Sequence, residues 1–296
     1  PGIFVRVRDT QSTSEVQAVA REVAAYSVER VGMRLAADGL ALENATGQAE
    51  PFAAAVAAAR AVGDLPLILI SDNPANVKAA LAKASGVVPL VYAATDANWK
   101  EMAATALAAK APLAVRGSGD LSALATLAEN VKGAGVEDIV LDPGARGLAE
   151  ALAAQTQLRR LALKQNLRAL GYPTIVFAGE GATSPVEEAI AAAQAIAKYA
   201  GFVVLDHSAP AEVYPLLTLR QNIYTDPQKP IQVSPGIYEI NNPKPESALL
   251  VTTNFSLTYF SVAGEVEGAG LPAWLLVCDA EGMSVLTAWA AGKFDA

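Results

Sequence analysis

Short apolar runs alternate with amphipathic, Ala-rich segments from Pro1 to about Ile223. Continuous apolar runs of this kind are typical of parallel strands that are buried on both faces. They predict strands at Ile3–Val7, Gly39–Leu42, Leu65–Ile70, Pro89–Ala93, Leu113–Val115, Asp138–Leu141, Thr174–Ala178 and Phe202–Leu205. The segments between them predict helices at Thr13–Val31, Gln48–Val62, Pro74–Ser85, Asn98–Ala109, Leu121–Gly133, Ala149–Leu170, Ser184–Tyr199 and Glu212–Gln221.

Several of these helices carry boundary signals. Asn73 before Pro74, and Ser184 before Pro185, place a capping side chain next to a proline at the first helical position. An open doubly wound sheet would also explain the alternation. Eight strand–helix repeats joined by short loops favour closure, so we predict an α/β fold with a (β/α)8 TIM barrel over residues 1–223.

The pattern changes after residue 223. Residues 224–247 are rich in proline and poor in helix formers, which predicts an extended linker. Residues 248–296 then form a second region, with a strand at Ala248–Thr253 and a polar-aromatic turn at Asn254–Phe260. A fully apolar strand at Trp274–Cys278, expected to be covered on both faces, precedes a turn at Gly282 and a helix that begins at Ser284.

Composition excludes several classes of function. A hydrophobic content of 52% predicts a large core, and a net charge of −8 without a basic block argues against nucleic acid or an anionic membrane as a partner. No apolar run reaches the roughly 20 residues that span a bilayer, and no signal segment opens the sequence, so we expect a cytoplasmic protein. One cysteine and one histidine exclude an internal disulfide and a multi-cysteine or multi-histidine metal centre built from this sequence.

The loops after the barrel strands hold the candidates for acid–base chemistry. Glu43, Asp96 and Asp142 carry carboxylates there, and His207 is the single histidine. Asp, Asn and Ser at such positions more often cap helices, and His207 is more often an ordinary loop histidine, so no catalytic residue is assigned. A barrel without an obvious catalytic constellation can serve as a scaffold or docking surface.

The turn at Gly282 leaves two interpretations open. The start of a helix presents free backbone N–H groups, which suits phosphate or another anion. The commoner alternative is an ordinary connection between a strand and a helix of a parallel sheet.

Four blocks make the sequence recognisable. They are Leu141–Gly147, Leu216–Pro230, Leu250–Phe260 and Glu281–Phe294. Together they closely resemble the large subunit of the corrinoid iron–sulfur protein, which is also the gamma subunit of the acetyl-CoA decarbonylase/synthase complex. The resemblance runs over the whole sequence.

This resemblance implies three parts: an N-terminal [4Fe-4S] domain, a TIM barrel, and a Rossmann-like α/β domain that carries a cobamide. A single cysteine means that the four-cysteine cluster domain is not in this sequence, although the intact protein would hold the [4Fe-4S] cluster. The sequence also stops soon after the helix that follows Gly282. We therefore expect the barrel followed by a partial Rossmann-like corrinoid-binding domain.

The implied function is that of a methyl-group carrier in the reductive acetyl-CoA (Wood–Ljungdahl) pathway of carbon fixation. The cobamide in its Co(I) state accepts a methyl group from methyltetrahydrofolate or a pterin analogue through a separate methyltransferase, and passes it to acetyl-CoA synthase/CO dehydrogenase. A small subunit completes a heterodimer. Two alternatives remain open: a self-contained TIM-barrel methyltransferase that binds a pterin, and a purely structural docking subunit.

The resemblance also implies the residues that contact the cobamide: Thr252, Thr258, Gly282, Met283, Ser284, Val285 and Thr287. Thr287 would lie close to the lower face of the cobalt. Corrinoid proteins that ligate cobalt through histidine use an Asp-x-His-x-x-Gly loop, and no histidine follows His207. We therefore expect a cobalt without a protein nitrogen ligand. A corrin is a broad apolar disc fringed by amides, which suits this mixture of hydroxyl, apolar and glycine positions.

Overall fold

The computed structural model describes residues 1–224 and 231–294. Tertiary contacts divide the chain into two compact units. The first unit comprises Pro1–Ser27 and Ala36–Arg220, and the second comprises Val28–Leu35 and Gln221–Ala296. The second unit is therefore built from two separate parts of the sequence.

Strands and helices alternate through most of the chain. The strands are β1 (Gly2–Arg8), β2 (Ser27–Arg30), β3 (Met33–Ala36), β4 (Gly39–Glu43), β5 (Leu67–Ile70), β6 (Leu90–Ala94), β7 (Leu113–Arg116), β8 (Ile139–Asp142), β9 (Ile175–Phe177), β10 (Phe202–Leu205), β11 (Gly236–Ile240), β12 (Ala248–Thr253) and β13 (Ala273–Cys278). The helices are α1 (Thr13–Ala25), α2 (Ala49–Arg60), α3 (Pro74–Leu81), α4 (Trp99–Ala109), α5 (Leu121–Gly133), α6 (Leu148–Lys164), α7 (Pro185–Ala197), α8 (Pro210–Tyr224), α9 (Ser256–Gly268) and α10 (Val285–Ala290).

The eight strands predicted for the barrel all form, and they join one parallel sheet in the order β8-β7-β6-β5-β4-β1-β10-β9. Its two ends approach each other where the Leu141 N–H donates to the Pro173 carbonyl at 2.8 Å. A single parallel bridge between Leu141 and Thr174 accompanies this hydrogen bond. The sheet is therefore a nearly closed barrel of the TIM type, as the repeat pattern predicts.

The barrel core has two layers, because each strand buries both faces. Its interior is filled by side chains from all eight strands: Phe4, Ala41, Ile68, Ile70, Leu90, Tyr92, Ala93, Ala114, Val140, Ile175, Phe177 and Val204. Outward-facing residues such as Val7, Leu42 and Leu113 pack against the surrounding helices. This double burial explains why the strands read as continuous apolar runs.

The predicted helix starts are confirmed. The Asn73 side chain accepts from the N–H groups of Ala75 and Asn76, and Ser184 accepts from the Glu187 N–H. Pro74 and Pro185 occupy the first helical positions. No helix in the described ranges is long and apolar enough to cross a membrane.

The prediction of one helix over Thr13–Val31 is wrong after residue 25. The helix ends at Ala25, and β2 and β3 then pair as a two-stranded sheet. Val31 and Gly32, at the turn between them, have φ values of 52° and 71°. Two consecutive positive φ values are characteristic of the tight hairpin turn whose twist matches that of paired strands. The hairpin belongs to the second unit.

The predicted helix Ala149–Leu170 is also shorter than expected. Helix α6 ends at Lys164, Asn166 adopts a φ of 54°, and only a 3-10 turn follows at Arg168–Leu170. Asn tolerates this left-handed conformation better than most residues, and it interrupts the helix.

The second unit contains a three-stranded sheet in the order β11-β13-β12. Strands β12 and β13 are parallel and joined by α9, whereas β11 is antiparallel to β13. Ile240, Leu275 and Val277 form the core, with Tyr238 and the α9 residues Tyr259, Val262, Ala263 and Val266 packed against it. Among the described residues this amounts to one β–α–β unit with an added strand, not a complete Rossmann-like domain.

Three expectations for this region need correction. Part of the predicted linker forms β11, while residues 225–230 of that linker lie outside the described part of the chain. Most of the predicted turn Asn254–Phe260 is instead the start of α9, which begins at Ser256 and whose apolar residues recur at helical spacing. Strand β13 alternates buried and partly exposed residues, so only one face is fully covered.

Candidate functional site

The carboxyl ends of β12 and β13 form the site at which the predicted cofactor-binding residues meet. These strands are parallel neighbours, but the helices after them lie on opposite faces of the sheet. Helix α9 packs on the face of Leu275 and Val277, whereas Val285 of α10 lines a groove with Leu276 on the other face. Such a reversal is a topological switch point, where open α/β sheets bind ligands in the crevice beyond the strand ends.

Asn254 holds the two strand ends together. Its buried side chain accepts hydrogen bonds from the N–H groups of Ala280 (3.0 Å) and Gly282 (3.2 Å). Its Nδ2 donates to Asp279 Oδ1 at 3.0 Å and to Gln232 Oε1 at 3.1 Å. One amide therefore uses both of its polar atoms to fix the loop after β12 against the turn after β13.

The structure places the seven predicted residues around this edge. Thr252 is at the carboxyl end of β12 and is fully buried, whereas Thr258 in the first turn of α9 is partly exposed. Gly282, Met283 and Ser284 form the turn after β13, and α10 contributes Val285 and Thr287. Ser284 caps α10, and its hydroxyl lies 2.9 Å from that of Thr287.

Three hydroxyl groups beside Asn254 are buried without a hydrogen-bond partner among the described residues. They belong to Thr252, Thr253 and Ser256. A buried hydroxyl without a partner costs about 1–3 kcal/mol. Thr252 and Thr253 are neighbours on a strand and point to opposite faces of the sheet, so these hydroxyls are not all on one face.

An apolar groove of about 330 Å³ lies on the face of the sheet opposite α9. It is lined by Val251, Leu276, Cys278, Val285, Trp289, Lys293 and Phe294. Trp289 is 75% exposed and Leu286, one turn earlier on α10, is 85% exposed. Exposed apolar surface of this kind, next to hydroxyl groups, matches the needs of a large planar ligand with polar edges.

The backbone N–H groups of the Gly282 turn, before the start of α10, have partners within the protein. The N–H groups of Ala280 and Gly282 already donate to Asn254, and that of Glu281 donates to Asp279 Oδ1 at 3.2 Å. The Met283 N–H donates to the Ala280 carbonyl at 2.9 Å. These four donors of the turn are therefore used within it, beside a carboxylate.

A second polar cluster lies at the mouth of the barrel, centred on Arg6 of β1. The Arg6 guanidinium donates to both carboxylate oxygens of Asp206, at 2.6 and 2.8 Å, and to Glu180 at 2.9 Å. Arg8, two residues along β1, is 3.0 Å from Glu43 and 3.4 Å from Asp206. Burial alone would lower the pKa of Arg6, but Asp206, Glu43 and Glu180 together outweigh it and the pKa is raised, so Arg6 stays charged.

Arg146 extends this cluster across the mouth. It bonds to Asp142 at 2.8 and 3.0 Å and to Glu180, while the Tyr92 hydroxyl donates to Asp142 at 2.5 Å. Burial and the Asp142 charge raise the pKa of Tyr92, which keeps the phenol protonated. The expectation that Glu43 and Asp142 cap helices is wrong, because the residues before α2 and α6 are Gln48 and Gly147. Both carboxylates are ion-paired instead. In residues 1–224 and 231–294, no group of three or more potential ligands could hold a metal ion.

His207 lies in the loop after β10, where its Nδ1 bonds to the buried carboxylate of Glu188. Glu188 also accepts from the Asp206 N–H. The hydrogen bond with Glu188 raises the pKa of His207, with smaller contributions from the charges of Glu188, Glu212 and Asp206. His207 is thus a loop residue with a structural partner.

We expect this pair to make stability pH-dependent. A pKa raised in the folded state stabilises the fold below the unfolded pKa of about 6.5, and this stabilisation is lost as pH rises through the folded pKa. Because the His207 side chain is 50% exposed, the effect should stay below about 1 kcal/mol. Urea unfolding of the wild type and His207→Gln at about pH 5.5 and about pH 9 tests this. Identical pH profiles for the two proteins would contradict the assignment.

Sequence reasoning missed the residue that organises the crevice. Asn254 stood within a recognised block but was assigned to a turn, and Thr253 and Ser256 were not singled out. A usable signal was present, since an Asn directly after a strand often bonds to nearby backbone N–H groups.

A family model described as "CO dehydrogenase/acetyl-CoA synthase delta subunit" matches residues 1–296. The chain belongs to this family. Relatives include the corrinoid/iron-sulfur protein large subunit of Moorella thermoacetica, 42% identical over 294 residues, which covers 99% of this chain and 65% of that protein. The acetyl-CoA decarbonylase/synthase complex subunit gamma of Archaeoglobus fulgidus is 36% identical over 306 residues, which covers 100% of this chain and 65% of that protein.

The chain thus spans about two thirds of the length of these relatives. Among solved structures, dihydropteroate synthase from Xanthomonas albilineans with 4-aminobenzoic acid has a TM-score of 0.55 at 17% identity and covers 77% of this chain and 94% of its own. The same enzyme from Thermus thermophilus has a TM-score of 0.54 at 21% identity, over 76% and 94%. At these identities the likeness establishes the barrel fold alone.

Proposed function

We propose that this chain is part of a methyl-carrying corrinoid subunit, and that its second unit binds a cobamide at the crevice beyond β12 and β13. The observation that carries the proposal is the topological switch point at the edge to which the resemblance assigns the cofactor. Family membership and the names of the relatives support it. The contacting residues would be Thr252, Thr258, Gly282, Met283, Ser284, Val285 and Thr287.

The residues present fit such a group. Val285, Leu286 and Trp289 offer apolar surface that is at least partly exposed, and Ser284 and Thr287 offer hydroxyls beside it. The unpaired hydroxyl of Thr252 lies beneath the same edge. When bound, the cobamide would supply the cobalt that holds the methyl group during transfer.

The chain's own contribution would be to shape and maintain the binding edge. Asn254 fixes the turn, and Gly282, with a φ of 74°, lets the backbone reverse within the buried part of the turn. Trp289 and Leu286 would exclude water from one face of the ligand.

Gly282→Ala should weaken corrinoid binding at least about tenfold, because a Cβ at positive φ costs about 1–2 kcal/mol and shifts the turn. Gly270→Ala is a matched control. Gly270 has a φ of 67° and open space around its Cβ, but it follows α9 at the amino-terminal ends of the strands. Binding is measured by the visible absorption of the full-length protein, titrated without oxygen with cob(II)alamin.

The proposal fails if the full-length protein shows no corrinoid bands after titration. It also fails if Gly282→Ala and Gly270→Ala weaken binding equally, because a general loss of stability would then explain both. Thermal unfolding of each variant reports that loss independently.

We further propose that the subunit works within a multi-protein system, as the names of the relatives indicate for those proteins. The expected partners are a small subunit forming a heterodimer, a methyltetrahydrofolate:corrinoid methyltransferase, and acetyl-CoA synthase/CO dehydrogenase. Purification under non-denaturing conditions without a second subunit would count against the heterodimer.

The barrel is proposed to act as a scaffold rather than as a pterin-binding enzyme. The arginines and carboxylates described at its mouth bond to one another, so Arg6, Asp142 and Arg146 are committed to internal ion pairs. Binding of a pterin to the protein without its corrinoid would favour the self-contained methyltransferase instead.

A further inference from the structure

A groove of about 270 Å³ lies beside the seam where the barrel is nearly closed, at the amino-terminal end of β9. It is bounded by the second half of α6, the 3-10 turn and the residue that follows α7. Its lining is Gln155, Leu158, Arg159, Ala162, Leu163, Arg168, Leu170, Gly171, Tyr172, Thr174 and Tyr199. The groove shares no lining residue with the polar cluster at the barrel mouth.

A buried amide with an unused polar atom lines this groove. Gln155 is 3% exposed, and its Oε1 accepts from the Thr174 hydroxyl at 2.9 Å. Its Nε2 has no hydrogen-bond partner among the described residues. An unsatisfied buried amide is costly, so a group that accepts a hydrogen bond from it would be bound favourably.

Two arginines border the same groove without a carboxylate partner. Neither Arg159 nor Arg168 is within ion-pair distance of an acid in the described part of the chain, although the protein carries a net charge of −8. The Arg159 guanidinium stacks over the Tyr199 ring at 5.0 Å, which holds it at the groove. Tyr199 has a φ of 92°, a conformation rare for a bulky residue and found mainly where the surroundings impose it.

We propose that this groove binds a small organic carboxylate with an apolar body. The planar guanidinium groups of Arg159 and Arg168 would hold the carboxylate, because arginine matches carboxylate geometry with paired hydrogen bonds. Leu158, Leu170 and Tyr172 would contact the apolar body. The Gln155 Nε2 would donate to an acceptor at the far end of the ligand. The volume accommodates a molecule of the size of a substituted benzoic acid.

The test is a calorimetric titration of the intact protein with 4-hydroxybenzoate, benzoate and the neutral 4-hydroxybenzamide. We expect 4-hydroxybenzoate to bind at least about tenfold more tightly than 4-hydroxybenzamide, because a hydrogen bond to a charged group increases affinity by about tenfold or more. Arg159→Gln and Arg168→Gln should each weaken carboxylate binding about tenfold and leave the amide unaffected. Arg160→Gln is the matched control, because Arg160 is an exposed neighbour on α6 that does not line the groove.

Gln155→Leu tests the inner end of the groove. It should abolish the preference for 4-hydroxybenzoate over benzoate, because it removes the donor at that end. It also removes the acceptor of the Thr174 hydroxyl, so thermal unfolding of the variant is measured alongside. The proposal is overturned if 4-hydroxybenzoate shows no saturable binding. It is equally overturned if Arg160→Gln weakens binding as much as Arg159→Gln, or if the neutral amide binds as well as the acid. None of these results bears on cobamide binding by the second unit.

Discussion

Arg6→Met is expected to lower the free energy of unfolding of the barrel by about 2–3 kcal/mol, because it leaves the partly buried Asp206 carboxylate without its main counter-charge. The Arg6 side chain is 5% exposed and joins Asp206, Glu180 and Glu43, which come from three other parts of the barrel. Burial alone would raise the pKa of Asp206, but Arg6, with a smaller contribution from Arg8, holds it below its usual range. Without Arg6, Asp206 keeps only the longer contact with Arg8.

Arg8→Met is the matched control. Arg8 lies on the same strand and touches two of the same carboxylates, but its side chain is 42% exposed. Solvated ion pairs contribute little, so this change should cost less than about 1 kcal/mol. Urea unfolding followed by peptide-resolved hydrogen exchange separates the two units, which a single global signal would mix. If both variants lost the same free energy of unfolding, burial would not determine how much these ion pairs stabilise the barrel.

Asn254→Ala is expected to open the turn after β13 and to lower the free energy of unfolding by about 2–4 kcal/mol. The reason is that the N–H groups of Ala280 and Gly282 would both lose their acceptor. The change should appear as faster hydrogen exchange over residues 279–283. Under the proposed function it should also abolish corrinoid binding, since the turn forms one side of the crevice.

Asn241→Ala provides the comparison within the same unit. Asn241 also bonds through its side-chain amide, to the carbonyls of Val266, Glu267 and Leu271, but it is exposed. Water can replace these hydrogen bonds, so the free energy of unfolding should fall by about 1 kcal/mol. Hydrogen exchange of residues 279–283 should stay unchanged. Fast exchange of that turn in both variants would contradict the role given to Asn254.

The barrel was predictable because each of its strands and helices shows its own pattern among neighbouring residues. Each strand is a short apolar run such as Leu67–Ile70, and each helix repeats apolar residues at helical spacing, so the order of elements follows from the sequence alone. The hairpin at Ser27–Ala36 was missed because the amphipathic pattern of α1 continues into its first residues. Only the paired positive φ values at Val31 and Gly32 end that pattern, and they depend on a turn that propensity does not reveal.

The polar sites were less predictable because their partners are distant in sequence. Arg6 bonds to Asp206, and Asn254 to the turn that follows β13. A carboxylate on a loop looks the same in a sequence whether it caps a helix or pairs with an arginine across the barrel. The positions of Gly282 and Ser284 came from the resemblance, and their geometry agrees with the turn and the cap that local rules predict.

The hairpin of β2 and β3 has a consequence for the order of folding. Its Arg30 bonds to Gln221 and Asn222, and Gly32 lies next to Ser256, so its partners are synthesised only after the whole barrel sequence. During translation the hairpin can pair only with itself until residues from 221 onward have been made. The second unit therefore cannot be completed until its carboxyl-terminal part has been synthesised. A fragment beginning at residue 221 would lack two of that unit's strands.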